Sequence, residues 1–364
     1  MKIARIKTDI VKLPAEEPLA GTPPANPSET RPIVVLDMAT DDGVEGLGVT
    51  YFGGPMTGAL RTTVDEIGAL IAGMDPSRPE AVAQKVRDSL GTPVIGGLVT
   101  LALSAIDMAL WDIRAKALNQ PLWKLLGGHR ERVPTYASGA LMRTMTDDQL
   151  AKAGRTLVEK GFHQMKTQLA LPGDTSPAKE VARARLMREA VGPDITLMCD
   201  INQRWRPEQA IDIGRRVEDV NFFWLEDVTA ADDFAGLARV TAALKTPIAG
   251  GEYVYGIAPF RHMMEAHSVD IPMVDLVRVG GITQWMKVAG MCEAYNLPIV
   301  SHLIPEVHVH LVAAVPNGLT VEYMPWLGRL FQEVPTPVKG HLVMPTKPGL
   351  GLAFDRDAIK KFRA

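Results

Sequence analysis

The stretch Pro247–His302, PIAGGEYVYGIAPFRHMMEAHSVDIPMVDLVRVGGITQWMKVAGMCEAYNLPIVSH, holds three short apolar runs, each closed by a group able to do chemistry. Glu252 follows PIAGG, Asp275 closes IPMVD and His302 closes LPIVSH. Longer segments with polar faces lie between, so the stretch reads as strand, helix, strand, helix, strand. The pattern extends outward: Asp200 stands in LMCDINQ, Glu226 in FFWLEDV and Glu322 in LTVEYM. These six groups recur at intervals of about 25 residues, the length of a β/α unit in a parallel barrel. Functional groups in such a barrel sit where strands end, so the period gathers all six on one rim. Carboxylates crowded there repel one another, and a hard divalent cation such as Mg²⁺ is the natural neutraliser. A helix N-cap or a solvated loop accounts for any one of the acids, but poorly for the whole set in register.

Eight candidate strands run Val133–Ala137, His163–Thr167, Thr196–Asp200, Asn221–Glu226, Pro247–Gly250, Met273–Leu276, Pro298–Ser301 and Leu319–Tyr323. Helical stretches such as Thr146–Lys160 and Pro207–Val217 fill the gaps, which argues for an α/β protein with a parallel sheet. That number of strands suits closure into a barrel. An open doubly wound sheet is the rival, but no G-x-G-x-x-G supports dinucleotide binding. Ahead of this region, Leu103, Ile106, Leu110, Ile113 and Ala117 make one apolar stripe on a helix over Leu101–Leu118. Earlier still, Ile3–Leu13 and Pro32–Met38 read as strands. The Pro/Gly/Thr-rich segment Ala15–Arg31 and the glycine-flanked Gly46–Gly54 read as mobile loops of the kind that form lids. The last 30 residues, with PGLGLAFD, read as a return segment and not another β/α unit.

At 364 residues the chain accommodates a barrel of about 250 residues and a second domain. With 46% hydrophobic and 22% charged residues it has the composition of a soluble globular enzyme. A net charge of −3 gives no electrostatic case for nucleic acid or an anionic membrane. The start, MKIARIKTDIVKLP, alternates like a strand and unlike a signal peptide, and no run approaches the length of a transmembrane helix. Cys199 and Cys292 make no disulfide framework, so buried reduced thiols in a cytoplasmic protein are expected.

Asp200, Glu226 and Glu252 end three successive candidate strands and can converge on one Mg²⁺. A cation there polarises a substrate carboxylate and stabilises the charge formed when its α-proton leaves. Asp275 and His302 end the next two strands, so the acid can fix the imidazole tautomer and leave the other nitrogen to act as base. Lys166, in GFHQMKTQ, can steady the substrate carboxylate or, with a lowered pKa, move a proton. Glu322 is an electrophilic partner or a structural acid. His308 and His310, in PEVHVH, suit packing or rim roles at the start of a helix better than a metal.

ALSAIDMALWDIRAKALNQPLWKLLGG, GFHQMKTQ, the D-x-N of CDINQ, WLED, GGE, DLVRVGGIT, SHLIPEVHVHL, VEYM and the terminal PGLG, in that order, resemble the enolase superfamily, specifically its mandelate racemase subgroup. The resemblance spans essentially the whole chain. It implies a modified (β/α)₇β TIM-type barrel over residues 129–330. An α+β capping domain would be formed by residues 1–128, with lids at 15–31 and 46–54, and by the returning tail 331–364. It also implies one Mg²⁺ per subunit held by Asp200, Glu226 and Glu252, an Asp275–His302 base, and Glu322 near the substrate carboxylate. Asn202 matches an asparagine of the substrate or metal shell. Arg31, Tyr51 and Phe52, in or beside the lids, are candidate substrate contacts, with surface or packing roles as the alternative. A homo-oligomer, dimer or octamer, is implied as well.

Two departures matter. The usual K-x-K is here Lys166-Thr167-Gln168, and glutamine cannot take a proton at neutral pH; it can only orient or hydrogen-bond. The usual W-x-E-E-P is WLEDV, which keeps Glu226. Losing one of two opposed bases weakens racemisation and epimerisation. Dehydration survives, because His302 can take the α-proton and return it to a departing β-hydroxyl on the same face. Many members of the subgroup that the chain resembles dehydrate acid sugars in this way, so the resemblance implies an acid-sugar dehydratase acting on a small carboxylate, aldonate or aldarate, with syn geometry. An epimerase, racemase or cycloisomerase using the same enediolate is the alternative.

Overall fold

In the computed structural model the first three strands form an antiparallel meander: β1 (Ile3–Pro14), β2 (Thr30–Thr40) and β3 (Glu45–Thr50). The structure describes residues 1–22, 26, 28–91, 96–173 and 176–364. Helices α1 (Thr57–Ile71) and α3 (Gly97–Ala117) pack against this sheet, and α2 (Pro79–Leu90) packs on those two helices. The glycines at 46 and 48 do a different job from the one expected of them. A Cβ at Gly46 would lie 2.4 Å from the Ala109 carbonyl oxygen, and one at Gly48 2.1 Å from that of Ala105. They let β3 press directly onto α3, so Glu45–Thr50 is a packed strand and only Tyr51–Gly54 remains loop. Of the other expected lid, Ala15–Arg31, residues Pro23, Pro24, Ala25 and Pro27 lie outside the described residues.

The barrel follows in chain order: β4 (Arg132–Leu141), β5 (Gln164–Gln168), β6 (Thr196–Asp200), β7 (Leu225–Glu226), β8 (Ile248–Gly250), β9 (Ile271–Asp275), β10 (Val300–His302) and β11 (Val321–Tyr323). Each pairs parallel with the next from β4 to β10, and β11 pairs parallel with β4. A parallel bridge between Ile299 and Gly318 joins the β10 and β11 chains and closes the ring. Helices lie between successive strands, as short right-handed crossovers require. The tail returns to both the barrel and the first sheet. A twelfth strand, β12 (His341–Val343), adds antiparallel to β4, and the helix Arg356–Phe362 lies against β1. Among the described residues no helix is long and apolar enough to cross a membrane. Cys199 and Cys292 are free and buried.

Candidate active site

Side chains alternate along a strand, so the residue two beyond an inward-facing one also faces inward. Tyr136, Met198, Trp224, Ala249, Met273 and Val300 form a core cluster separate from the main one. They come from strands all around the ring, and only the barrel interior brings them together. Two residues beyond Met198, Trp224, Met273 and Val300 stand Asp200, Glu226, Asp275 and His302. The chemistry therefore forms the layer above a hydrophobic floor. In β5 the floor position belongs to Lys166, level with Met198, and the upper position to Gln168, level with Asp200.

His302 and Asp275 are register partners across β10 and β9. His302 Nδ1 lies 2.7 Å from Asp275 Oδ2, and a carboxylate only accepts, so Nδ1 donates in this pair and Nε2 is the nitrogen left to face the cavity. Asp275 Oδ1 accepts the backbone N–H groups of Val277 and Arg278 at 3.0 and 2.8 Å, capping the helix Leu276–Val279. Its two oxygens thus serve separate tasks. Burial alone would push the Asp275 carboxyl up, but Arg278 and His302 hold it below the usual range. His302 Nε2 lies 3.3 Å from Glu252 Oε2, and both residues line a cavity of about 240 Å³. Directly after His302, Leu303 and Ile304 adopt left-handed backbone with φ of 54° and 42°. Such a conformation costs a β-branched residue on the order of 1–3 kcal/mol. Across this turn the Leu303 N–H donates to Glu322 Oε2 at 2.6 Å.

Opposite the imidazole stand the carboxylates. Asp200 is level with Glu226 across β6 and β7, and Glu252 lies two residues beyond the end of β8. Oxygens of Glu226, Glu252 and a further acid, Asp227, lie within 4.8 Å of one another. Asp200 stands outside this tightest grouping: its Oδ1 accepts the Asn202 N–H at 2.7 Å, and its Oδ2 lies 3.4 Å from Gln168 Nε2. Burial and neighbouring carboxylates push Glu252 and Asp227 well above the usual range. Glu226 is pushed up to about 7 by burial, with Lys166 opposing and Asp200 adding to the rise. Asp227 Oδ2 is buried with no hydrogen-bond partner among the described residues. Hard oxygen donors that resist ionisation because they crowd one another fit a Mg²⁺-type cation, whose charge reverses that repulsion.

Lys166 departs from one expectation. It is buried in an ion pair with Glu226 and lies 2.9 Å from Glu322 Oε1. Burial works to lower its pKa, but the two carboxylates outweigh burial and hold it well above the ordinary lysine value. Paired in this way, it suits the role of a cation that steadies negative charge. The same charge, against burial, keeps Glu322 well below the usual range.

Gln168 is held by a residue whose importance the sequence reading missed. Arg143 donates through its backbone N–H and Nε to Gln168 Oε1, through Nη1 to the Ile201 carbonyl at 3.2 Å, and through Nη2 to Asn202 Oδ1. Asn202 in turn donates from Nδ2 to the Tyr253 hydroxyl at 3.3 Å. Arg143, Tyr253, Arg278 and Asp227 were all unforeseen. Arg143 was hidden because the first barrel strand runs to Leu141, past the expected Ala137, so the rim lay further along the chain. Arg278 follows Asp275 by three residues on a helix, a spacing that would have pointed to it.

The expected lid residues Arg31, Tyr51 and Phe52 line a second cavity of about 440 Å³ that adjoins the first. His308 and His310 are fully buried. His308 Nδ1 pairs with the Leu303 carbonyl at 2.6 Å, and His310 Nε2 with that of Leu350 at 3.0 Å. Burial lowers both imidazoles to about 4, so they are neutral packing groups.

Residues 15–127 match the mandelate racemase/muconate lactonizing enzyme N-terminal domain, and residues 149–358 match the enolase C-terminal domain-like family. The chain belongs to the mandelate racemase/muconate lactonizing enzyme family, within the enolase superfamily. Among the most similar members is the L-talarate/galactarate dehydratase of Salmonella typhimurium, 31% identical over 98% of this chain and 90% of that one. The 3,6-anhydro-alpha-L-galactonate cycloisomerase of Streptomyces coelicolor is also 31% identical, over 98% of each chain. The crystal structure of L-talarate dehydratase from Polaromonas sp. JS666, complexed with Mg and L-glucarate, superposes with a TM-score of 0.91. It is 30% identical, with 100% of this chain and 97% of that one covered.

Proposed function

We propose that this protein is a Mg²⁺-dependent acid-sugar dehydratase, a carbon–oxygen hydro-lyase that converts an aldonate or aldarate into a 2-keto-3-deoxy acid. The observation that carries the reading is an asymmetry. An oriented imidazole, His302 on Asp275, lies on one wall of the cavity, and a glutamine stands where a second base would be. Asp200, Glu226 and Glu252 would hold the cation, with Asp227 buttressing the cluster. When bound, it draws charge from the substrate carboxylate and so acidifies the α-carbon.

The protein's own groups do the rest. His302 Nε2 takes the α-proton, and the C–H electron pair moves into the carboxylate, giving an enediolate. Lys166, kept protonated by Glu226 and Glu322, offsets that charge, and Glu322 lies near the substrate carboxylate. The imidazolium then returns its proton to the β-hydroxyl as the β-carbon–oxygen bond breaks, and water leaves on the face from which the proton came. The enol ketonises. Gln168 and Asn202, held by Arg143, hydrogen-bond the substrate without exchanging protons, and Arg31, Tyr51 and Phe52 close over its far end. Residues 1–128 and 331–364 form the cap and 129–330 the barrel. The two buried free thiols agree with a cytoplasmic protein, and the family resemblance with a homo-oligomer.

The test is a screen of mono- and diacid sugars with Mg²⁺ in D₂O, scoring keto product and α-deuterium by NMR. Keto acid from wild type, lost in His302→Asn, is the expected result. Deuterium exchange without water loss would instead make the protein an epimerase or cycloisomerase.

A further inference from the structure

The lid-side cavity has a wall unlike that of the catalytic one. It shares Arg278, Leu303, Met324 and Trp326 with the cavity that contains His302, so the two are successive compartments of one space. Its outer part is largely apolar, lined by Phe52, Ile304 and Leu327 among others, and into it projects Arg31. The Arg31 guanidinium sits over the Trp326 ring with Cζ 3.9 Å from the centroid. Its Nη1 is buried and has no hydrogen-bond partner among the described residues. A donor atom buried without a partner is unfavourable, and more so when it carries charge. Glu29 lines the same cavity and attracts Arg31 without accepting a hydrogen bond from it.

A guanidinium stacked on an indole keeps its edge free, and that edge matches the two oxygens of a carboxylate. The cluster of Asp200, Glu226, Glu252 and Lys166 already accounts for one carboxylate at the reacting end. We infer that the Arg31 compartment receives a second carboxylate, so that the substrate is a sugar diacid lying across both compartments. This rests on the acid-sugar reading above and narrows it from acid sugars in general to aldarates.

Steady-state dehydration of six-carbon aldarates and aldonates tests it in wild type, Arg31→Met and Arg31→Lys. Wild type is expected to prefer aldarates. Arg31→Met should lose about 100-fold in kcat/KM on the aldarate, mainly through KM, within the range for unpairing a buried charge. Aldonate turnover should fall far less than aldarate turnover, an unchanged melting temperature shows that the variant folds, and Arg31→Lys should recover part of the loss. A wild-type preference for aldonates, or an equal loss on both classes, overturns the inference. If no acid sugar yields keto acid, the dehydratase reading fails and the compartment is tested separately by calorimetry with adipate and hexanoate. Tighter binding of adipate, lost in Arg31→Met, upholds the second carboxylate site; equal binding overturns it.

Discussion

Arg143 Nε and Arg143 N–H both lie 3.3 Å from Gln168 Oε1, which turns the amide so that its Nε2 faces Asn202 Oδ1 at 3.1 Å. A cation thus stands against the Gln168 side chain, brought by Arg143 from just beyond the end of β4. A lysine at 168 would bring a second positive charge against the guanidinium. Gln168→Lys should therefore lower stability, and Arg143→Gln in the same molecule should relieve part of the cost. A double-mutant cycle read by urea denaturation is expected to give a coupling on the order of 0.5–3 kcal/mol. Strictly additive losses would show that the two side chains do not act as a pair.

His302→Asn should lower kcat by about 10²–10⁴-fold, the range for removing a general base, while leaving Mg²⁺ binding in place. Asp275→Asn probes the dyad differently. The amide can still accept the Val277 and Arg278 N–H groups, so the cap survives, but its NH₂ faces His302 Nδ1 and favours the opposite tautomer. A comparable fall in kcat with nearly unchanged thermal stability is expected. Full activity in Asp275→Asn would remove the carboxylate from the mechanism.

The barrel was legible because its signal repeats: each short run ends in a polar group, and the period survives errors of a few residues at every boundary. Asp200, Glu226, Asp275 and His302 were readable for the same reason, since each stands two residues above an apolar floor residue. What failed was anything set by distance between segments. Gly46 and Gly48 looked like hinge residues, yet their role lies in the close approach of α3, which no local pattern records. For Lys166 the sequence left two roles open, because the carboxylates of β7 and β11 that pair with it come from distant segments. Asp227 looked like a mild replacement, but its side chain completes the tightest cluster of acids.

The crowded carboxylates give metal removal a definite pH signature. Glu226 is raised from 4.5 to about 7, so in the metal-free protein its contribution to stability is present below the unfolded value and is lost as pH rises through about 7. Glu252 and Asp227 are shifted in the same direction. Mg²⁺ needs the deprotonated ligands, so its affinity grows over the same window. The melting temperature of EDTA-treated protein should fall between pH 5 and about 8, and the increment from added Mg²⁺ should widen. At 100 times its Kd the ion is worth about 2.7 kcal/mol. A Mg²⁺ increment that does not change with pH would mean that these carboxylates are not its ligands.

Gly48→Ala tests the close packing of the cap. The new methyl carbon would lie 2.1 Å from the Ala105 carbonyl oxygen and 3.1 Å from its Cα, both backbone atoms of α3 that cannot turn aside. Either β3 or α3 must move, and overpacking of this kind costs about 1–3 kcal/mol. Gly53 makes the control, since a methyl there meets nothing within 4 Å, although its φ of 99° adds local backbone strain. Gly48→Ala should therefore lose more stability than Gly53→Ala. Because β3 leads directly into Tyr51 and Phe52, it should also raise KM with little change in kcat. Equal destabilisation by the two substitutions, measured by thermal melting, would mean that β3 yields freely and that Gly46–Gly54 is mobile after all.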